Sequence, residues 1–431
     1  MKKKLLATML VMAMTASMVG CGQTEEPAAA PEAAAPAAGA VEVEAPAAAT
    51  DTSEHVTLTI AARGGSHVDV IEAVKANFEE KNNCTIEVLG LEAADLKQNV
   101  ALDAANAEGA YDLCMIDDPV MPEFMEGGIL LNLTAEGYKE DEDFIKASRA
   151  VGKNPYGTGD TYALPFNGNV QLFFYNKDAL EKVGGTIPTS WEEVLELAKK
   201  GKAAGLNGYV IRGQQGNPIV SDFLPILWAY GGNVFDDQMN VIVDSPEAKA
   251  ALQMYLDLLA QGANFEKNDI VASVADGSSL MALGWPSWFI SGADASAAYA
   301  AIPSKANGQE HPTGMIGNWM MGVTANTTHK ELAIELLKYL TSAEVQKQTV
   351  DAGCVPTRYS VSHDAEVTAK YPHLAEICDA TDNSVVRPRT PKWSTIEEVW
   401  GAELSNVVSG TKTIEQGLAD SKVAIEAEMA K

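Results

Sequence analysis

Between Val56 and Asp117 the apolar pattern switches repeatedly between two periods, and this constrains the fold more tightly than any other stretch. VTLTIAA (Val56 to Ala62) alternates apolar and polar residues as a half-buried strand does. From Asp69 the apolar residues Val70, Ile71, Val74 and Phe78 recur at helical spacing. TIEVLG (Thr85 to Gly90) predicts a second strand, LEAADLKQNVALDAANAEG a helix ending at Gly109, and YDLCMID (Tyr111 to Asp117) a third strand. Strands and helices alternating over so short a distance predict a parallel sheet with helices on both faces. Ligands of such sheets bind beyond the carboxyl ends of the strands. Two loops are therefore candidates: Arg63-Gly64-Gly65-Ser66-His67 and Asp117-Asp118-Pro119.

A second α/β set follows. VQLFFYN (Val170 to Asn176) and GYVIRG (Gly208 to Gly213) have strand character. PTSWEEVLELAKKG opens with Thr189 and Glu192 at capping-box spacing, and SPEAKAALQMYLDLLAQG (Ser245 to Gly262) is a second capped helix. ELAIELLKYL is amphipathic, and Thr341 with Glu344 caps the helix after it. FDDQMNVIVDS lacks the central Gly and terminal Glu of a calcium loop and is expected to be a hairpin turn. Residues 55–431 are too many for one ordinary domain and suit two lobes.

The chain opens MKKKLLATMLVMAMTASMVGCGQ: a basic start, a short apolar run, then Gly20 and Cys21. That is a secretory signal over residues 1–20, too short for a spanning helix. Its end, Met18-Val19-Gly20-Cys21, resembles a bacterial lipobox, which makes Cys21 the expected lipidation site. Residues 22–54, rich in Ala, Pro and Glu and free of aromatics, cannot bury enough apolar surface to fold and read as a tether. A coil of that length spans about 30 Å root-mean-square.

Charge and motifs exclude several classes of function. A formal net charge of −28 argues against nucleic acid and against electrostatic docking on anionic lipid. The six histidines are scattered without metal-ligand spacing, so no metal site is expected, and no cofactor. Cys84 and Cys114 sit in strand-like segments and suit buried free thiols; the pairings possible among these two, Cys354 and Cys378 stay open. G-x-S-x-G, P-loop and zinc motifs are absent from the sequence, and adjacent Asp117 and Asp118 cannot flank a glycosidic bond. No catalytic residue is expected; a secreted glycosidase is the enzymatic alternative.

MALGWPSWF (Met281 to Phe289) crowds aromatic residues onto an element broken by Pro286. An element built only for core packing is not normally interrupted there. This stretch, with YALPFNGNVQLFFYNKDALEKVGGTIPTSWEEVLELA, IVDSPEAKAALQMYLDLL, AIELLKYLTSAEVQKQTVDAGCVPTRYSV and RPRTPKW, resembles the family 1 extracellular solute-binding proteins, maltose-binding-protein-like sugar receptors of ABC importers. The likeness runs in order from about His55 to Lys431.

The resemblance implies a two-lobed periplasmic-binding-protein fold, of the hinged type with mixed sheets and helices on both faces. Residues 55–165 and 285–341 would form one lobe, and 166–284 and 342–431 the other. Crossings are expected near Leu164 to Asn167, Gly284 to Trp285 and Leu340 to Ser342. It also implies a monomer, lipid-anchored and facing outside the cytoplasm, that binds a sugar, oligosaccharide or polyol and delivers it to a two-part permease. A peptide, amino acid or anionic solute is the alternative cargo. Indole matches the C–H face of a pyranose, while carboxylates, amides and guanidinium groups match its hydroxyl rim. The candidate ligand contacts are Trp285, Trp288, Trp319 and Trp228, with Asp117, Asp118, Asn167, Ser66, Arg63 and Arg358. Arg63 is the only basic candidate among the front loops.

Overall fold

The computed structural model describes residues 55–288 and 295–431. The signal segment, Cys21, the tether and Phe289 lie outside these residues. No helix among the described residues is long and apolar enough to cross a membrane.

The main strands, in chain order, are β1 (Val56–Arg63), β2 (Cys84–Leu91), β3 (Leu113–Asp117), β4 (Ala163–Asn167) and β5 (Leu172–Asn176). They continue as β6 (Val210–Ile211), β7 (Ala263–Asn264), β8 (Met281–Gly284), β9 (Ala297–Ala300) and β10 (Trp319–Val323). One sheet has the order β2-β1-β3-β10-β4 and the other β9-β5-β8-β6-β7. In the first, β1 is parallel to β2 and β3, as the alternating pattern predicts, while β10 enters antiparallel between β3 and β4. In the second, β8 is parallel to β6 and antiparallel to β5. Each sheet has its own apolar core; Trp191, Trp393 and Trp400 are fully buried beside the second.

Val70, Ile71, Val74 and Phe78 are all buried, as their spacing requires, but not on one helix: Val70 and Ile71 lie on α1 (Ser66–Glu72), Phe78 on α2 (Lys75–Asn82), and Val74 at the junction between them. The capping box of α3 (Trp191–Ala203) sits one residue later than expected: Ser190 accepts from the Glu193 amide, and Glu193 turns back to the Ser190 amide. Glu193 also takes the Thr189 amide and hydroxyl, so Thr189 supports the cap without being it. Ser342, not Thr341, caps Ala343–Thr349, because the Thr341 hydroxyl donates back to the Leu337 carbonyl. Ser245 caps Pro246–Leu259 as expected. FDDQMNVIVDS is a hairpin, with Phe235 paired to Val241 and Asp236 accepting from the Asn240 amide. All four cysteines of the body are free and buried.

The second crossing needs correction. Ala297–Ala300 pairs with β5 from Asn176 to Phe173, so the chain is still in the second sheet well after Gly284. It reaches the first sheet only at Trp319. The break at Pro286 marks a turn along the edge of the cleft rather than a change of sheet.

Candidate functional site

Gly284 ends β8 where a Cβ would lie 2.2 Å from the Phe174 ring. Only a glycine brings the backbone that close, and the next side chain, Trp285, then turns toward a cleft of about 390 Å³. A Cβ on Gly317 would meet the Trp285 ring at 2.2 Å, so the indole lies directly against the Gly317 backbone. Pro286–Trp288 forms one tight turn, closed by the Trp288 amide donating to the Trp285 carbonyl at 2.9 Å. Pro286 thus spaces Trp285 and Trp288 onto the same cleft.

The first sheet supplies the opposite wall from its strand ends. Arg63 ends β1, followed by Gly64, Gly65 and Ser66; Gly65 has φ 84°, a conformation that suits glycine. Asp117 ends β3 and stands opposite Trp319, the first residue of β10. Six sequence candidates therefore line one cleft: Arg63, Ser66, Asp117, Trp285, Trp288 and Trp319.

The remaining four candidates do not line it. Asp118 is wholly buried, ion-paired with Arg387, and its carbonyl accepts from Arg389 at 2.8 Å. Asn167 faces the His67 ring nitrogen at 2.8 Å and accepts the Val355 amide, which occupies both ends of its carboxamide. Trp228 packs in the core of the second sheet. Arg358 pairs with Asp141 at 2.6 Å and Asp143 at 3.1 Å and lies 3.8 Å over Phe144, at a separate groove. In each case the side chain is taken up by internal contacts, although Asp118 Oδ2 is left buried without a hydrogen bond.

Sequence reading missed the cationic character of the site. Arg212, Lys267 and Arg387 join Arg63 in the cleft. Arg212 directly follows β6, so the rule of carboxyl strand ends would have found it. Lys267 opens the helix Lys267–Asp276, and no sequence pattern marks it. Arg387 is held by Asp118, Asp117 and Glu397, and Arg63 by Glu92 at 2.8 Å and the Leu91 carbonyl. The Arg212 amide donates to Asp222 at 2.9 Å, but the side chains of Arg212 and Lys267 form no ion pair or hydrogen bond among the described residues; both lie over the Trp288 ring, at 5.2 Å and 6.0 Å from its centre.

The ionisation states follow from these surroundings. Burial, then the charge of Arg63, lowers His67 to about 4, so its imidazole is neutral near neutral pH. Burial raises Asp117 against the opposing pull of Arg387, with Asp118 and Glu397 adding to the rise. Asp117 nonetheless keeps a third of its side chain open to the cleft. Burial also lowers Lys267, and Arg63 and Arg212 lower it further. The Asn169 carboxamide oxygen, in a side chain that lines the cleft, is buried without a partner. This arrangement can stack a flat apolar face on indole and hydrogen-bond the rim around it.

The family model for bacterial extracellular solute-binding proteins matches residues 64–347. A probable ABC transporter-binding protein of Deinococcus radiodurans is 26% identical over 280 residues, covering 60% of this chain and 66% of that protein. A probable amino-acid ABC transporter periplasmic-binding protein of Sinorhizobium fredii is 21% identical over 388 residues, covering 85% and 87%. Maltose-bound MalE3 of T. maritima superposes with a TM-score of 0.76 at 25% identity, covering 86% of this chain and 99% of that one. An Agrobacterium radiobacter K84 solute-binding protein in complex with ribitol gives 0.77 at 22%, covering 87% and 99%. These matches establish the two-lobed α/β fold expected from the sequence.

Proposed function

The chain belongs to the family of bacterial extracellular solute-binding proteins of ABC transporters, and from that premise we propose that it is the extracytoplasmic receptor for a polyhydroxylated solute. The solute, a sugar, oligosaccharide or polyol, would bind between the lobes, favour their closure, and pass to a two-part permease. One observation supports this above the others: Trp285, Trp288 and Trp319 converge on a single cleft, Trp319 from one sheet and Trp285 and Trp288 from beside the other. Relatives with maltose and ribitol agree with it. The lobes take the expected boundaries except that the chain, after Gly284, still pairs with the second sheet at Ala297–Ala300 and joins the first only at Trp319, and Cys21 carries the lipid that holds a monomer at the outer membrane face. Cys21→Ala should then move the protein from the membrane fraction to the medium or periplasm; retention in the membrane would refute the anchor.

A melting screen of the full chain against neutral and acidic sugars, polyols and amino acids tests the reading. A ligand at a hundred times its Kd stabilises the fold by about 2.7 kcal/mol, a readily measured shift. A carbohydrate shift that Trp285→Ala weakens roughly tenfold or more in affinity supports it. The amino-acid relative is the reason for the competing arm: a shift with amino acids alone would replace this reading.

A further inference from the structure

The chain has 59 acidic and 31 basic residues, so carboxylates are nearly twice as available as partners for its cations. Of the four cations that line its ligand cleft, Arg63 and Arg387 are ion-paired, whereas the side chains of Arg212 and Lys267 form no ion pair among the described residues. They converge on the same indole, Trp288, within 6.0 Å of its centre, and Arg63 is near enough to act on the Lys267 charge. The nearest carboxylates, Asp222 and Glu397 for Arg212 and Glu92 for Lys267, act on these charges without pairing with them, so burial and mutual repulsion disfavour the empty state. Such an arrangement is stabilised when an anion enters.

We infer that the solute carries an anionic group, a carboxylate or a phosphate on a polyhydroxylated skeleton, and that Arg212 and Lys267 hold this group beside Trp288. The inference rests on the receptor reading of the same cleft. Arg212 offers a planar fork that matches two oxygens at once, and Lys267 a mobile point charge. Trp285 and Trp319 remain for the C–H face, and Asn169, whose carboxamide oxygen is unpartnered, for a hydroxyl donor. Arg63 and Arg387, which also line the cleft, are already paired, Arg63 with Glu92 and Arg387 with Asp118, Asp117 and Glu397. The charged end of the solute therefore lies toward the second sheet, next to β6 and β8.

Calorimetric titration of the full chain at neutral pH tests this with matched probes. D-glucuronate, D-galacturonate, D-gluconate and D-glucose 6-phosphate are compared with D-glucose, D-galactose and D-glucitol. At least one acidic probe should bind roughly ten- to hundredfold more tightly than its neutral partner, the range expected for hydrogen bonds to a charged group. Preference among the acids separates a carboxylate from a phosphate. Arg212→Gln and Lys267→Gln should each remove most of that preference, weakening the acids far more than their neutral partners, and Arg212→Lys should restore part of it. The ligand-free melting temperature of Arg212→Gln should hold or rise, which rules out misfolding as the cause. Neutral probes binding as well as their acids, with a ratio unmoved by either variant, would overturn the inference and leave the receptor reading intact. Binding of no probe at all would overturn the inference, and a response to amino acids alone in the melting screen would overturn both.

Discussion

His67 shows how one buried side chain turns surroundings into pH dependence. Its imidazole is 8% exposed, accepts from the Asn167 carboxamide, and is held at about 4 by burial and by Arg63. In the unfolded chain the same ring titrates near 6.5. Between these values the unfolded state binds more protons, so stability falls as pH drops from about 6.5 to about 4. The loss attributable to this group is on the order of 3 kcal/mol. His67→Asn should flatten the dependence of melting temperature on pH over that interval relative to the parent chain. Identical slopes would show that His67 does not control it. Asp118 and Arg358 teach the complementary lesson: as residue types they suit a sugar site, but each was claimed by internal ion pairs from residues distant in sequence. Nothing in the local sequence announces such a partner.

At the scale of elements, the alternating stretch from Val56 to Asp117 was legible because burial imposes its period on the residues themselves. Strand and helix types came through, and with them the loops carrying Arg63, Ser66 and Asp117. What did not come through were contacts made across the fold: β9 returning to β5, and Lys267 arriving beside Trp288. The two close-packed glycines near Trp285 separate packing from binding. Gly284→Ala presses a methyl group into the buried Phe174 ring and should cost about 1–3 kcal/mol of stability, read as a lower melting temperature. Gly317→Ala presses instead on the Trp285 indole, which lines the cleft although only 8% of it is exposed. It should lower ligand affinity more than it lowers stability. A large loss of stability with unchanged affinity in Gly317→Ala would mean that Trp285 serves the core.

For the whole molecule, the contrast between an acidic chain and a cation-lined cleft has a kinetic consequence. The formal charge of −28 is spread over the full sequence, whereas Arg63, Arg212, Lys267 and Arg387 are gathered at one place. An approaching anion at a distance meets mainly repulsion, and attraction only once inside the mouth of the cleft. Screening reaches about 10 Å at 0.1 M ionic strength, so added salt removes the distant repulsion first. Stopped-flow measurements with an acidic sugar should show association that quickens as salt rises from low concentration, together with faster dissociation. An association rate that slows throughout would mean the cleft dominates the far field. The same surface that keeps such a protein soluble would then act as a toll on arrival, and the interior cations would set how long each passenger stays.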